Sequence, residues 1–586
     1  MPMSYACATI LLIGAATPAA AGARRVGASL PDPGCPAGEP AGAPGAALEG
    51  PSEGTAKGWP VDLGSPGAGF PYTPTLFDID GDGDDEIFLM GGEVFGLDGD
   101  GSFLPGWPTS DMQYMGYAST GQLPGPSCAD MEADGDVETL WSERDWYAGS
   151  SHMWSFNGRE PGGGWMPGFP QEAPDEGSNA LATPFVLGDA DGDGDLEAWT
   201  AHTLGNTGEY YRISGFDHQG NRLFTTDLDP AELILNVYFG DLEGDGTEEF
   251  FAVGLLADSY RLHAFTPEGN HRSGYPLELF DQGSGYAAFG PPVPADLDGD
   301  GDLEVVVGYT LSSTATAEAR HHDGSPVEGF PISITGGSQL FYIGLGDITG
   351  DGDPELLAFE NELAADYRAW AVDMATGETL AGWPVALSDW PKGFPTVVDV
   401  TDDGLQEVCC TTDGGELWAL QSDGSVAEGF PKAMSTTATS GAAAGDIDGD
   451  GLYELVACTW DGHAYAWDTE GAVAADRADW PMRGVDARNT GVYAASGGTG
   501  LQPETPGGRL APAANPSAGS VELLLPAWES AVLEVYDMTG RRVCRMDASG
   551  RSSLVWAPSG DRPSGVYVAR LRSGGRSLRA GFVLLR

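Results

Sequence analysis

Eight times along the chain the same nine-residue pattern recurs: an acid first, an acid or threonine third, Asp-Gly fifth and sixth, and Glu ninth. The copies begin at Asp78, Asp130, Asp189, Asp241, Asp296, Asp347, Asp399 and Asp446. Places one, three and five offer side-chain oxygens, place seven a backbone carbonyl, and place nine a carboxylate able to bind through both oxygens. Glycine at place six permits the positive φ that folds a chain around an ion. Six to eight hard oxygens at about 2.3–2.6 Å are what Ca2+ requires. In the order of those five places the candidate ligands are Asp78, Asp80, Asp82, Asp84 and Glu86, then Asp130, Glu132, Asp134, Asp136 and Glu138. The third and fourth copies supply Asp189, Asp191, Asp193, Asp195 and Glu197, and Asp241, Glu243, Asp245, Thr247 and Glu249. The fifth and sixth supply Asp296, Asp298, Asp300, Asp302 and Glu304, and Asp347, Thr349, Asp351, Asp353 and Glu355. The last two supply Asp399, Thr401, Asp403, Leu405 and Glu407, and Asp446, Asp448, Asp450, Leu452 and Glu454. Copies in which Thr349 or Thr401 replaces an acid, or Leu405 or Leu452 follows the glycine, are expected to hold an ion less well. A helix–loop–helix calcium loop needs its last ligand at about the twelfth place; here the Glu comes ninth and opens a strand. The competing reading is a solvated acidic turn. It fits one copy and fails for eight, because carboxylates crowded together without a cation repel one another.

The elements that position these turns are strands. EIFLM, EEFFAVG, EVVVGY and ELVAC follow four of the turns, apolar and rich in β-branched or aromatic residues, with no helical period. A further strand then ends in a turn such as LDGDG or HHDGS, and Gly-aromatic-Pro follows at Gly106, Gly168, Gly274, Gly329, Gly382 and Gly429. The third unit lacks that element. Four short antiparallel strands in about 50 residues make one propeller blade. The expected fold is therefore all-β, a calcium-loop β-propeller followed by a small Ig-like β-sandwich. Eight loops favour eight blades; the long second interval and the irregular third unit leave seven as an alternative. Two segments compete to complete the last blade, Gly58-Trp59-Pro60 and Asp479-Trp480-Pro481. The aromatic rings are expected to pack between blades.

Over residues 56–494 these repeats resemble the FG-GAP/VCBS type of integrin-α-like β-propellers. The resemblance implies a calcium-binding, extracellular binding or adhesion module.

The charge fits this assignment. The 586 residues carry 88 Asp+Glu against 27 Lys+Arg, a net charge of −61. Such a balance argues against nucleic acid or an anionic membrane as partner, since phosphate binding needs a basic surface. A hydrophobic share of 41% excludes disorder throughout. The eight copies hold 38 of the 88 acids, and eight bound Ca2+ would bring the charge to −45.

An apolar run from Ala6 to Ala16, followed by small residues at Ala19–Ala21 and Ala21–Ala23, reads as a secretory signal over 1–23. No Lys or Arg precedes the run. A low-complexity linker over 24–55 follows, and no later segment is apolar enough for a transmembrane span. Cys35, Cys128, Cys409, Cys410, Cys458 and Cys544 show no zinc spacing, and Cys409 and Cys458 read as core residues.

A Gly/Pro/Ala linker over 495–515 leads to a strand-rich module over 516–586. Residues 521–586 hold ten Arg and six acids, opposite in sign to the rest. Val535-Tyr-Asp-Met-Thr-Gly-Arg541, Ser564-Gly-Val-Tyr567 and the terminal Leu-Leu-Arg resemble the C-terminal sorting domains of the type IX secretion system and the related FlgD-type Ig-like domain. That resemblance implies export and surface attachment through secretion machinery; a plain β-sandwich spacer is the alternative.

No nucleophile elbow, zinc-protease, Walker or dinucleotide motif occurs. His321 and His322 read as surface turn residues. The favoured function is a secreted or cell-surface calcium-binding propeller contacting an extracellular protein or glycan. The alternative is a polysaccharide lyase or other glycan-degrading enzyme with its site in the central channel, marked by Arg, Lys, His and Tyr converging there.

Overall fold

The computed structural model describes residues 55–585 except 64–72, 81, 91–93, 109–124, 133–136, 148–150, 174–182, 205–209, 230–231, 257–258, 282–285, 312–313, 335–339, 363–365, 475–476, 484, 494–510, 513–516, 519–520, 525–531, 538–541, 550, 552, 557–564 and 574–575. The expected signal segment, the linker up to residue 54, most of the second linker, Asp134, Asp136, and Met538–Arg541 and Ser564 of the C-terminal motifs lie outside the described residues. Chain contacts separate two units, Met1–Gly500 and Leu501–Arg586. All regular structure among the described residues is strand, and no helix is long and apolar enough to cross a membrane.

The first unit is an eight-bladed propeller. Among the described residues eight separate sheets follow one another, seven of four strands and one of three. Blade five is representative: Tyr286–Ala295, Glu304–Leu311, Thr314–His321 and Ile332–Ile334 run antiparallel from the axis outward. Each acidic copy is the turn between the first and second strands. The inner strand of each blade touches the next, and Thr75–Phe77 of blade one touches Ala443–Gly445 of blade eight, closing the ring.

The continuous apolar runs are explained by burial on both faces. In blade five Val305 and Val307 pack toward blade four, while Val306 between them packs toward blade six. Phe250 and Phe251 divide in the same way between two clusters. Side chains alternate across a strand, so a blade sandwiched between two others needs apolar residues at every place.

The aromatic-Pro elements latch each blade to the next. Trp59, Trp107 and Trp383 donate their indole N–H to Gly99, Pro161 and Ser422 carbonyls at 2.9, 3.4 and 2.9 Å. Each acceptor lies in the outer turn of the following blade. Glycine before the aromatic is forced: at Gly58 (φ 98°) a Cβ would fall 2.0 Å from the Asp100 carbonyl oxygen, and at Gly382 (φ 92°) 1.8 Å from that of Asp423. Blade three does the same work differently: Thr226 Oγ1 donates to the Gly269 carbonyl at 2.6 Å, beside the Phe224 ring.

Val61–Asp62 is the outer strand of blade eight, paired with Ala464 and His463. Thr55, read as linker, already bridges Trp467. The competing Asp479-Trp480-Pro481 is therefore not an outer strand, because the third strand of blade eight runs on through Asp468–Gly471 to Ala472 and does not turn there. Residues 477–493 instead cross the axis. Their backbone meets Val397, Ala444, Cys128, Leu187, Phe239 and Pro294 in blades seven, eight, two, three, four and five. All six stand two residues before an acidic copy, so this strap closes the end of the ring that carries the copies. Asp479 adds blade six, accepting the Asp347 N–H at 2.8 Å, and Ala487 packs in the cluster of Ile79 and Phe88 of blade one.

The second unit pairs Ala511–Pro512, Val521–Leu524 and Ser553–Trp556 in one sheet. A five-stranded sheet holds Ser517–Ala518, Arg576–Leu585, Gly565–Ser573, Val532–Asp537 and Arg542–Asp547. Leu523, Leu533, Val535, Trp556 and Tyr567 form its core. Among the described cysteines, Cys128, Cys409, Cys410 and Cys458 are buried and unpaired.

Candidate metal centres

Every acidic copy is closed by the same hydrogen bond. The ninth-place Glu is buried, opens the second strand in blades one to seven and is its third residue in blade eight, and accepts through Oε2 the backbone N–H of place two. The donors are Ile79, Met131, Ala190 and Leu242 at 2.7, 2.9, 3.0 and 3.3 Å. Leu297, Ile348, Val400 and Ile447 follow at 2.7, 3.0, 2.8 and 2.9 Å. The first-place Asp caps the turn from inside: Asp189 accepts from Gly192 and Gly194, and Asp347 from Gly350 and Gly352, at 2.7–3.0 Å. The fifth-place Asp accepts the N–H of place seven, as Asp193 does from Asp195 at 3.0 Å and Asp450 from Leu452 at 2.8 Å. Sixth-place glycines are left-handed, from φ 83° at Gly246 to 108° at Gly83.

These bonds leave one face of the carboxylates free to converge. In blades one, three and eight, places one, three and nine bring oxygens within 4.8 Å of one another: Asp78, Asp80 and Glu86; Asp189, Asp191 and Glu197; Asp446, Asp448 and Glu454. Asp296, Asp298 and Asp300 converge likewise in blade five. Glu138 Oε1 and Asp446 Oδ1 are buried without a hydrogen-bond partner. Burial, with the neighbouring carboxylates adding, pushes Glu86, Glu138, Glu197, Glu304, Glu355 and Glu454 up to about 8. A donor set of oxygens alone, short of positive charge, fits a hard divalent cation.

The fit is uneven around the ring. In blade four the Arg272 guanidinium lies on Glu249 Oε1 through Nη1, and its Nη2 is 3.3 Å from Glu243. It occupies the ground between places three and nine where blades one, three and eight bring carboxylate oxygens together. In blade seven Thr401 Oγ1 donates to Glu407 Oε1 at 3.1 Å. Arg477 there stands 2.8 Å from Asp399 and 2.6 Å from Asp402. Thr349 Oγ1 reaches Glu355 Oε1 at 3.5 Å in blade six. The turn residues His321 and His322 sit against blade five's copy, at 2.7 Å from Glu304 and 2.6 Å from Asp302. Asp245, Asp351 and Asp403 keep their turn bonds, to Thr247, Asp353 and Leu405. Blades four and seven thus do not fit a cation as blades one, three, five and eight do.

Arg272 was not among the sequence candidates, yet it left a signal. The residue two places before each Gly-aromatic-Pro is Ala56, Leu104, Met166, Val327, Leu380 or Ala427, and only in blade four is it charged. Neighbouring copies also bond to each other: Asp85, Leu196 and Leu303 donate their N–H to Asp446, Met131 and Leu242 of the preceding blades at 2.6, 2.7 and 3.1 Å.

A family model described as an FG-GAP-like repeat matches residues 296–358, which run from blade five's copy into blade six. No curated protein matches the chain. Among solved structures, the Dos1 propeller aligns with TM-score 0.41 and 9% identity over 72% of this chain and 97% of that one. An exo-β-1,3-galactanase of Clostridium thermocellum, 1,3Gal43A, aligns with TM-score 0.28 and 12% identity over 62% of this chain and 96% of that one.

Proposed function

We propose that the protein is a secreted or cell-surface propeller, stabilised by several Ca2+, that binds an extracellular protein or glycan through the end of the ring away from the acidic copies. The observation that carries this reading is the division between the two ends. At one end the copies are closed on themselves and the strap covers the axis. The other end presents Trp460, 50% exposed in the turn between the second and third strands of blade eight. Trp390 lies at the same end beside Lys392, whose ammonium is 5.0 Å from the indole and 2.8 Å from Asp413. Flat aromatic faces next to charged hydrogen-bonding groups are what sugar rings and peptide segments use. Calcium would be held by the oxygens of places one, three, five, seven and nine, chiefly in blades one, three, five and eight, and would neutralise them. The C-terminal unit would serve export and surface attachment.

The lyase reading draws support from Arg483, Tyr238 and Tyr342, grouped inside the ring with Arg483 and Tyr342 both against the Phe394 side chain. Burial pushes the Tyr342 hydroxyl up to about 12, and Tyr238 donates its own proton to the Pro292 carbonyl at 2.6 Å. Neither tyrosine is poised as a base, so binding is preferred. A glycan array run beside an absorbance assay for unsaturated sugar products tests both. Binding without turnover, weakened by Trp460→Ala, is expected; rapid turnover would overturn the choice.

A further inference from the structure

We propose that the axial channel binds a carboxylate-bearing sugar of the uronate class on the guanidinium of Arg483, entering from the end opposite the acidic copies. This rests on the glycan-binding reading above and names the ligand's chemistry.

Arg483 lies on the strap, in a turn where Val485 donates its N–H to the Met482 carbonyl at 3.0 Å. Its surroundings belong to the inner strands of three blades. The guanidinium carbon is 5.5 Å from the centre of the Phe394 ring, and Phe394 meets Tyr342 edge-on at 5.2 Å. Phe394 and Tyr342 each stand five residues before an acidic copy, three further from the copies than the strand residues that bond the strap. Arg483 therefore points from the strap down the axis. Arg483 and Tyr342 are each only partly buried although both lie within the ring, so the solvent they meet is that of the channel.

Two features are unusual. Nη1 of Arg483 is enclosed and has no hydrogen-bond partner, and the groups acting on its charge are the tyrosines Tyr342 and Tyr238, with no carboxylate among them. Burial lowers the guanidinium to about 10, which leaves it charged at neutral pH. In a chain with 88 acids and 27 bases, an arginine inside the ring with no acid beside it among the described residues stands out. The second feature is Val485 at φ 70°. A β-branched residue in the left-handed region is strained and persists where the surroundings demand it. The strained turn holds Arg483 in place.

A guanidinium with no second cation beside it among the described residues matches one negative charge. A planar carboxylate pairs with it through two parallel bonds, whereas a phosphate dianion would stay half neutralised in a field this acidic. Aromatic walls on several sides favour a cyclic body behind the carboxylate, as in a uronic acid.

The test uses the full calcium-loaded chain and D-glucuronate, with D-glucose and inorganic phosphate as controls, read by isothermal titration. Glucuronate should bind the wild type at least tenfold tighter than glucose or phosphate. Arg483→Gln should weaken glucuronate at least tenfold, with Arg483→Lys between. Melting midpoint and calcium stoichiometry confirm that each variant folds, and Arg483→Met replaces one that does not. Equal glucuronate affinity in wild type and Arg483→Gln, or no preference of the wild type for glucuronate over glucose, overturns the proposal. Glycan-array binding that persists alongside such a result leaves the broader binding function standing; an array without signal beside Arg483-dependent glucuronate binding refutes the broader surface and keeps the channel.

Discussion

Arg272 reaches across blade four to lie between Glu243 and Glu249, the third and ninth places of its acidic copy. A fixed cation of the chain stands where its sister copies converge on open oxygens. Replacing it with Gln should therefore add one bound calcium per chain, counted by equilibrium dialysis. In chelator the same variant should lose about 1–3 kcal/mol, because the buried Glu249 loses its partner. A calcium count identical to wild type would show that Arg272 does not exclude the ion.

Calcium should carry much of the first unit's stability. At about 1 mM free calcium, a site with a dissociation constant near 0.1 mM contributes about 1.4 kcal/mol. Chelator should lower the melting midpoint, and Glu197→Gln should remove one calcium while keeping the hydrogen bond to Ala190. An unchanged midpoint in chelator would sink the structural role of the metal.

The metal-free protein should become less stable as pH rises. Glu86, Glu197 and Glu454 are pushed up to about 8 by burial, above their ordinary value near 4.5. Between these limits the folded chain binds more protons than the unfolded one, so stability is full below about pH 4.5 and is lost as pH climbs through 8. Calcium binds the ionised form, so its stabilising effect should grow over the same range. Melting curves at pH 5, 6.5 and 8 with and without calcium check both; a chelated midpoint that rises with pH contradicts the assignment.

Much of this was legible in the residues. Eight copies gave eight blades because the turn and the strand after it are local, and the Glu that closes the turn also belongs to that strand. Ring closure was not legible. Gly58-Trp59-Pro60 and Asp479-Trp480-Pro481 share one short motif, and which pairs with the last blade depends on whether Asp468–Gly471 turns or continues as strand. That choice is set by Thr55 and Val61 some 400 residues away, on Trp467 and Ala464. Arg272 escaped for a different reason: one cation among many acids carries no period, and its role appears only against the apolar residues of the other blades.

Asp479 offers a sharper test of the strap. Its Oδ2 accepts both the Asp347 N–H at 2.8 Å and the Tyr493 hydroxyl at 2.9 Å. Asp479→Ala should cost about 1–3 kcal/mol by leaving buried donors unpaired, while Asp479→Asn, which keeps an acceptor oxygen, should cost less. Urea unfolding followed by tryptophan fluorescence reads the difference, and equal losses would place the effect in charge rather than in hydrogen bonding.

The strap and the first outer strand together set an order of assembly. Val61 waits for Ala464, and Cys128, Leu187 and Phe239 wait for residues 487–490. Early blades can hairpin locally as they are made, but none can be sealed until nearly five hundred residues are present. Folding to the finished ring is therefore a late, all-or-nothing commitment with high contact order, slow by nature. A chain cut short before the strap keeps all eight acidic copies and still lacks its keystone.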